Sequence, residues 1–233
     1  MNFIQNTNSI GMRNESSLHI QMKQWCFKDG DKVEVPIKGY IIDIVRENLL
    51  IEIQTKNFSA MKRKLKDLLS EYQVRVIHPI AATRHITYLI ADCEGNTHYT
   101  TRKSPKKGVL LDVFNELIGI TDFLDNLNLE IEVLLIHEEE FRCNDGKGSW
   151  KRKGASITDR KFNAVQESYI FKNKQDYIDI LPSNLPELFT TKSLAKALGI
   201  KVNTSRKIVY CLKKINGIIQ VGKEGNMLVY SRS

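Results

Sequence analysis

The chain has 233 residues, 42% of them hydrophobic and 27% charged, which is enough to bury a real core and too apolar for wholesale disorder. Its 35 Lys and Arg outnumber 27 Asp and Glu, and the net charge of +8 points to a polyanionic partner. About the longest apolar run, Leu129 to Ile136, contains Glu130 and Glu132, so no transmembrane helix fits and no membrane partner is expected. Met1 to Ile10 lacks a secretory pattern, and Cys26, Cys93, Cys143 and Cys211 stand far apart. Together these features predict a cytoplasmic protein with reduced thiols.

In chain order, residues 1–13 read as a tail. Asn14 then caps a helix to about Cys26, with Leu18, Met22 and Trp25 on one face. Lys32 to Ile37, Gly39 to Val45 and Leu49 to Thr55 alternate as strands, the last two joined by a tight turn near Glu47-Asn48. Phe58 to Tyr72 has helical spacing, and Gln73 to Ile80 is a strand that Pro79 should end. A hairpin (86–93 and 98–102), a helix (109–118) and a strand (129–136) follow. His137-Glu138-Glu139-Glu140 reads as a solvated acidic strand end, and 156–171 is weakly patterned. Residues 181–186, with two prolines, mark a linker between an α/β region (14–180, core 14–81 and extension 82–180) and a C-terminal module (187–233).

If Glu47-Asn48 is the turn, position 46 faces 49 and Asp43 faces Glu52, with Gln54 on the same strand face as Glu52. Two carboxylates among Ile41, Ile42, Ile44, Ile51 and Ile53 repel each other and lose hydration. A divalent cation held by both, Mg2+ or Mn2+, removes both objections. A half-exposed sheet face, with each acid paired to Lys or Arg, is the other reading.

Helix, three-strand meander, helix and strand, with Asp43 on the second strand and Glu52-Ile53-Gln54 on the third, resembles the PD-(D/E)XK (restriction-endonuclease-like) nuclease superfamily. The resemblance spans roughly residues 14–81. It implies a mixed sheet flanked by helices and a metal-dependent hydrolysis of DNA phosphodiesters. By it Glu15 is the first-helix acid, Asp43 and Glu52 are the metal ligands, and Gln54 stands where the superfamily usually has lysine. A neutral amide cannot supply that lysine's charge; Lys56 on the same strand face could, as could Lys62 or Lys64 on the next helix. If none reaches the site, the fold binds DNA without cutting it, as a regulator or subunit.

Basic residues mark DNA contacts elsewhere: Lys62 and Arg63 on the helix after the motif, Lys103 and Lys106 in one loop, and Lys147, Lys151 and Arg152 around Trp150 in another. Trp150 either stacks on a base or packs back on its own domain. From Ser183 onward nine basic residues face two acidic ones, so nearly the whole net charge lies in the tail. That tail, a helix stopped at Gly199, a second helix from Val202 and a hairpin, resembles a winged helix-turn-helix. The likeness implies that Lys201, Asn203, Thr204, Ser205, Arg206 and Lys207 enter a major groove, with Lys223 on the wing. A homodimer would let two such sites cut both strands.

Overall fold

The computed structural model describes residues 16–91 and 97–233; the expected positions of Asn14, Glu15 and Cys93 lie outside them. Helix α1 (Ser17–Cys26) is capped by Ser16, whose hydroxyl accepts from the His19 amide. It buries Leu18, Met22 and Cys26, whereas Trp25 stays half-exposed, edge-on to Phe162.

Strands β1 (Lys32–Ile37), β2 (Tyr40–Arg46) and β3 (Leu49–Ile53) form an antiparallel meander. Arg46 lies opposite Leu49 and Ile44 opposite Ile51, the register set by the Glu47-Asn48 turn. A 3-10 turn (Phe58–Met61) leads into α2 (Lys62–Leu68), and β4 (Gln73–Ala91) then pairs parallel to β3. β5 (Thr97–Lys103) folds back on the second half of β4. The expected helix at 109–118 is a 3-10 turn (Leu110–Val113) continued by the short α3 (Phe114–Leu117). β6 (Leu129–Cys143) runs parallel to β4, and β7 (Ser156–Phe171) closes the edge antiparallel to β6. The result is a seven-stranded mixed sheet, ordered β1-β2-β3-β4-β6-β7 with β5 on β4.

Pro79 does not end its strand. β4 passes through it, pairing Pro79 with Leu134 of β6 and shifting register only between Ala81 and Thr83. On the other side β3 stops at Ile53, and its last bond to β4 is Gln54 N–H to Ile77 O at 2.9 Å. Residue 79 faces the same side as 77, beyond that bond, so its missing N–H leaves no acceptor unpaired. β7 escaped the pattern because, as an edge strand, it is mostly exposed or half-exposed on both faces.

Two cores flank the sheet. One joins α1 to Ile44, Ile51, Ile53, Ile77, Leu134 and Ile136. The larger joins α2 and α3 to Ile42, Leu50, Val76 and Val133, and continues without a break into the C-terminal segment.

That segment comprises α4 (Lys174–Ile178), β8 (Phe189–Thr190), α5 (Thr191–Leu198), α6 (Val202–Lys214), β9 (Ile218–Glu224) and β10 (Met227–Arg232). The strands make a small second sheet ordered β8-β10-β9. α5 stops at Gly199, whose φ of 64° lies in the left-handed region that glycine enters without a Cβ clash. The expected linker at 181–186 is not loose. Leu181 and Leu185 are buried, Arg232 donates to Pro182 O at 2.8 Å, and Tyr177 stacks on Phe171 of β7 at 4.7 Å. Leucines at those positions gain more from the shared core than from water, and the prolines shape a packed crossing.

Removing residues 183–233 should therefore expose a core face rather than release an independent module. Thermal unfolding of the truncated chain should lose its sharp transition; an unchanged melting curve would contradict the shared core. In the full chain, Leu212→Ala should cost about 2–5 kcal/mol in denaturant titration.

Candidate functional site

The site begins where the meander comes apart. The β2–β3 ladder ends at Ile44 opposite Ile51, one pair short of Asp43 and Glu52. In place of a backbone bond, Asp43 Oδ2 accepts the Ile53 N–H at 2.9 Å. On the other side of β2 the pair Glu34–Asp43 is also missing from the ladder, and Glu34 has a left-handed φ of 52°. Ile42 and Ile44, two residues apart, consequently pack in different cores, where strict alternation would put them in one.

Asp43 and Glu52 are 9% and 7% exposed, and each has basic company. His19 Nε2 lies 3.3 Å from Asp43 Oδ2. The Lys23 ammonium stands 3.4 Å from Asp43 Oδ1 and 3.2 Å from Glu34. Burial pushes the Asp43 carboxyl up, but the His19 hydrogen bond and charge, the Ile53 amide and the Lys23 charge outweigh it and hold the group below the usual range. Lys64, from α2, puts its ammonium 2.5 Å from Glu52 Oε1 and donates to Ile41 O at 2.8 Å. That ion pair is the contact made by Glu52 Oε1, which has no hydrogen bond of good angle. Burial dominates there: the Glu52 carboxyl rises to about 7, against the pull of Lys64 and with a further push from Asp43.

β3 ends before Gln54, so Gln54 and Lys56 do not share its face as expected. The Gln54 amide donates to Lys56 O at 2.5 Å and Asn57 O at 3.4 Å, and Lys56 is exposed on the bend. Asn57 turns the chain with a φ of 59°. His78, buried edge-on to Phe58, donates Nδ1–H to Gln54 O at 2.7 Å; burial holds its pKa down. A cleft of about 890 Å³ opens over this end of the sheet, lined by Ser16, His19, Asp43, Glu52, Gln54, Lys56 and β7 residues Ile157 to Arg160. A second, of about 240 Å³, shares Leu18, Thr55 and Arg160 with it and reaches Arg84, Lys106 and Asn115.

Two buried carboxylates supply hard oxygen donors of the kind magnesium takes, an ion that keeps several waters and needs only one or two carboxylates beside a phosphate. The poorly hydrogen-bonded Glu52 Oε1 fits that use. Among the described residues no three His, Cys, Asp or Glu side chains gather as a metal-holding group, and Glu15 lies outside them.

Residues 16–172 match a family model described as a domain of unknown function (DUF8091). The chain belongs to that family. A protein of Treponema pallidum (strain Nichols), described as an uncharacterized protein, is similar to it: 34% identical over 189 residues, 81% of this chain and 74% of that one. No solved structure matches. The DUF8091 span takes in the large sheet, both clefts and all of His19, Lys23, Asp43, Glu52 and Lys64; it stops before α4.

His19 and Lys23 were missed in the sequence, although two basic residues four apart on α1 share a face. The Glu138–Glu140 run is not solvated. Glu138 and Glu140 are buried, and Glu140 is met by Arg142 at 2.5 Å, Arg160 at 3.1 Å and Arg84 at 3.8 Å. Of the expected DNA contacts, Lys62 lies near Asp122, and Arg63, Lys103, Lys106, Lys147 and Lys151 are exposed. Arg152 is half-buried and holds its own loop through Ala155 O. On α6, Asn203 and Arg206 are exposed, with Lys201 at its cap and Thr204 half-buried; Lys223 is exposed on β9. Ser205 cannot reach a groove. It is fully buried and donates to Thr191 O at 2.8 Å, fastening α6 to α5. Lys207 donates to Asn115 Oδ1 at 2.8 Å, at the rim of the second cleft.

The two carboxylates should act oppositely on stability. Asp43 stabilises above its unfolded pKa, and that contribution is lost as pH falls through its lower folded value. Between pH 4.5 and about 7 the unfolded chain releases the Glu52 proton while the folded chain keeps it, so Glu52 makes stability fall with rising pH. The full fall is roughly 3 kcal/mol. Glu52→Gln should flatten that slope in denaturant titrations across this window; equal slopes for both proteins would refute the assignment.

Proposed function

We propose that the protein is a metal-dependent DNA endonuclease of restriction-endonuclease-like fold, with a C-terminal winged helix-turn-helix that holds the DNA. The observation that carries this reading is the pair of buried carboxylates, Asp43 and Glu52, at the parted ends of β2 and β3, facing a cleft and accompanied by Lys64.

Asp43 and Glu52 would hold Mg2+ or Mn2+. Bound there, the ion would polarise the scissile phosphate and lower the pKa of a water. Lys64 supplies the fixed positive charge that Gln54 lacks, beside Glu52, where the reacting phosphate would gather negative charge. His19 and Lys23 keep Asp43 ionised and aimed, and the Ile53 amide fixes its rotamer. Gln54, tied to the bend that follows, shapes the rim instead of touching the reacting atoms. The exposed basic face of α6 and Lys223 of β9 would meet the phosphate backbone beyond the cleft.

Purified protein incubated with plasmid, linear and branched DNA should cut in Mg2+ or Mn2+ and stop in EDTA. Asp43→Ala and Glu52→Ala should abolish cutting, and Lys64→Ala should slow it by about a hundredfold or more. Gln54→Ala should leave it within about twofold. Metal-independent binding with no cutting of any substrate would sink the reading in favour of a catalytically silent DNA-binding protein.

A further inference from the structure

The hairpin joining β6 to β7 carries Trp150, and that indole does not fold back: it is 83% exposed. Its backbone is nevertheless well held. Gly148 N–H donates to Gly154 O at 2.7 Å, Gly154 N–H to Ser149 O at 3.2 Å, and Arg152 Nε to Ala155 O at 3.0 Å. Gly148 approaches Ala155 so closely that a Cβ there would stand 1.8 Å from the carbonyl oxygen. A ring that its own loop holds out in water forgoes the gain of burial, and its face stays open to a partner. The Lys151 ammonium lies 5.6 Å from the ring centroid, Lys147 and Lys153 flank it, and the nearby Asp145 is turned onto the Lys147 amide.

Where β7 begins lies a hollow of about 270 Å³, lined by Leu89, Tyr99, Phe141 and Lys161. It shares Thr158 and Asp159 with the carboxylate cleft. Tyr99 is 67% exposed, and the Lys161 ammonium sits 4.9 Å over the Phe141 ring. Aromatic hollow and carboxylate cleft thus meet at the start of β7, and the Trp150 loop leads into the same strand.

We infer that this arm is a stacking platform for unpaired nucleobases, so that the substrate carries a single-stranded segment beside the bond to be cut. The cutting part of this statement rests on the function proposed above; the platform does not. Base faces are open to an indole or phenol only when unpaired, because a duplex shows its edges and backbone. The surrounding lysines suit the phosphates between such bases. A membrane surface is a poorer occupant, since the loop offers one apolar side chain among Gly, Ser, Lys and Arg.

Trp25 and Trp150 are the two tryptophans of the chain, so a Trp25→Phe protein reports on Trp150 fluorescence alone. In EDTA, oligo-dT and a duplex with a single-stranded overhang should quench it, while a blunt duplex and vesicles of phosphatidylcholine with phosphatidylglycerol should not. Trp150→Leu in the otherwise native chain should weaken overhang binding about fivefold or more and leave blunt-duplex binding unchanged; Trp150→Phe should restore most of the loss. Quenching by vesicles alone, equal quenching by blunt duplex, or Trp150→Leu binding like the native protein would overturn the platform. Quenching by single strands with no cutting of any substrate would keep the platform and overturn the hydrolysis. Cutting of blunt and overhang substrates alike, insensitive to Trp150→Leu, would do the reverse.

Discussion

One hydrogen bond organises the carboxylate end of the sheet: the Ile53 amide gives its proton to the side chain of Asp43 rather than to the backbone of β2. A side-chain acceptor inside a ladder leaves no room for the next backbone pair, so β2 and β3 part at that point. The parting puts Ile42 and Ile44 into different cores and draws Glu34 into a left-handed turn on the neighbouring strand. A carboxylate so far from water would cost several kcal/mol alone. Lys23 and His19, one helical turn apart on α1, offset that cost, which ties the docking of α1 to the charge of the site.

The second organising fact is that the C-terminal segment has no core of its own. Phe171 and Tyr177 pass the apolar surface of the large sheet to Phe189, Leu194 and Leu212 without interruption. Ser205 fastens α6 to α5, and Lys207 fastens it to Asn115 of α3. The exposed basic face of α6 and the carboxylate cleft are therefore held in a fixed relation, unlike two modules on a flexible tether.

Much of this was legible in the residues. The meander and its register from Arg46–Leu49 to Ile44–Ile51 followed from alternation and a two-residue turn, although the ladder stops before the expected pair of Asp43 and Glu52. Their surroundings combine both readings of the pair: they are buried, as the apolar neighbours imply, and each also meets a lysine. What could not be read was long-range. Nothing local tells Lys64 from Lys56 as the cation that reaches Glu52, since that depends on where β3 ends. β7 has no period because both of its faces are mostly exposed or half-exposed. Leu181 and Leu185 sit between prolines, and a proline-rich crossing reads as a linker unless the core beneath it is known.

Where β3 ends has an origin two residues further along β4. Pro79 presents a ring carbon where any other residue would offer a proton to a neighbour continuing past Gln54. β3 thus finds no template for further growth on that side. An imino acid in the middle of a long inner strand acts as a stop for the strand beside it, and the mouth over Asp43 and Glu52 stays open because a hydrogen is missing.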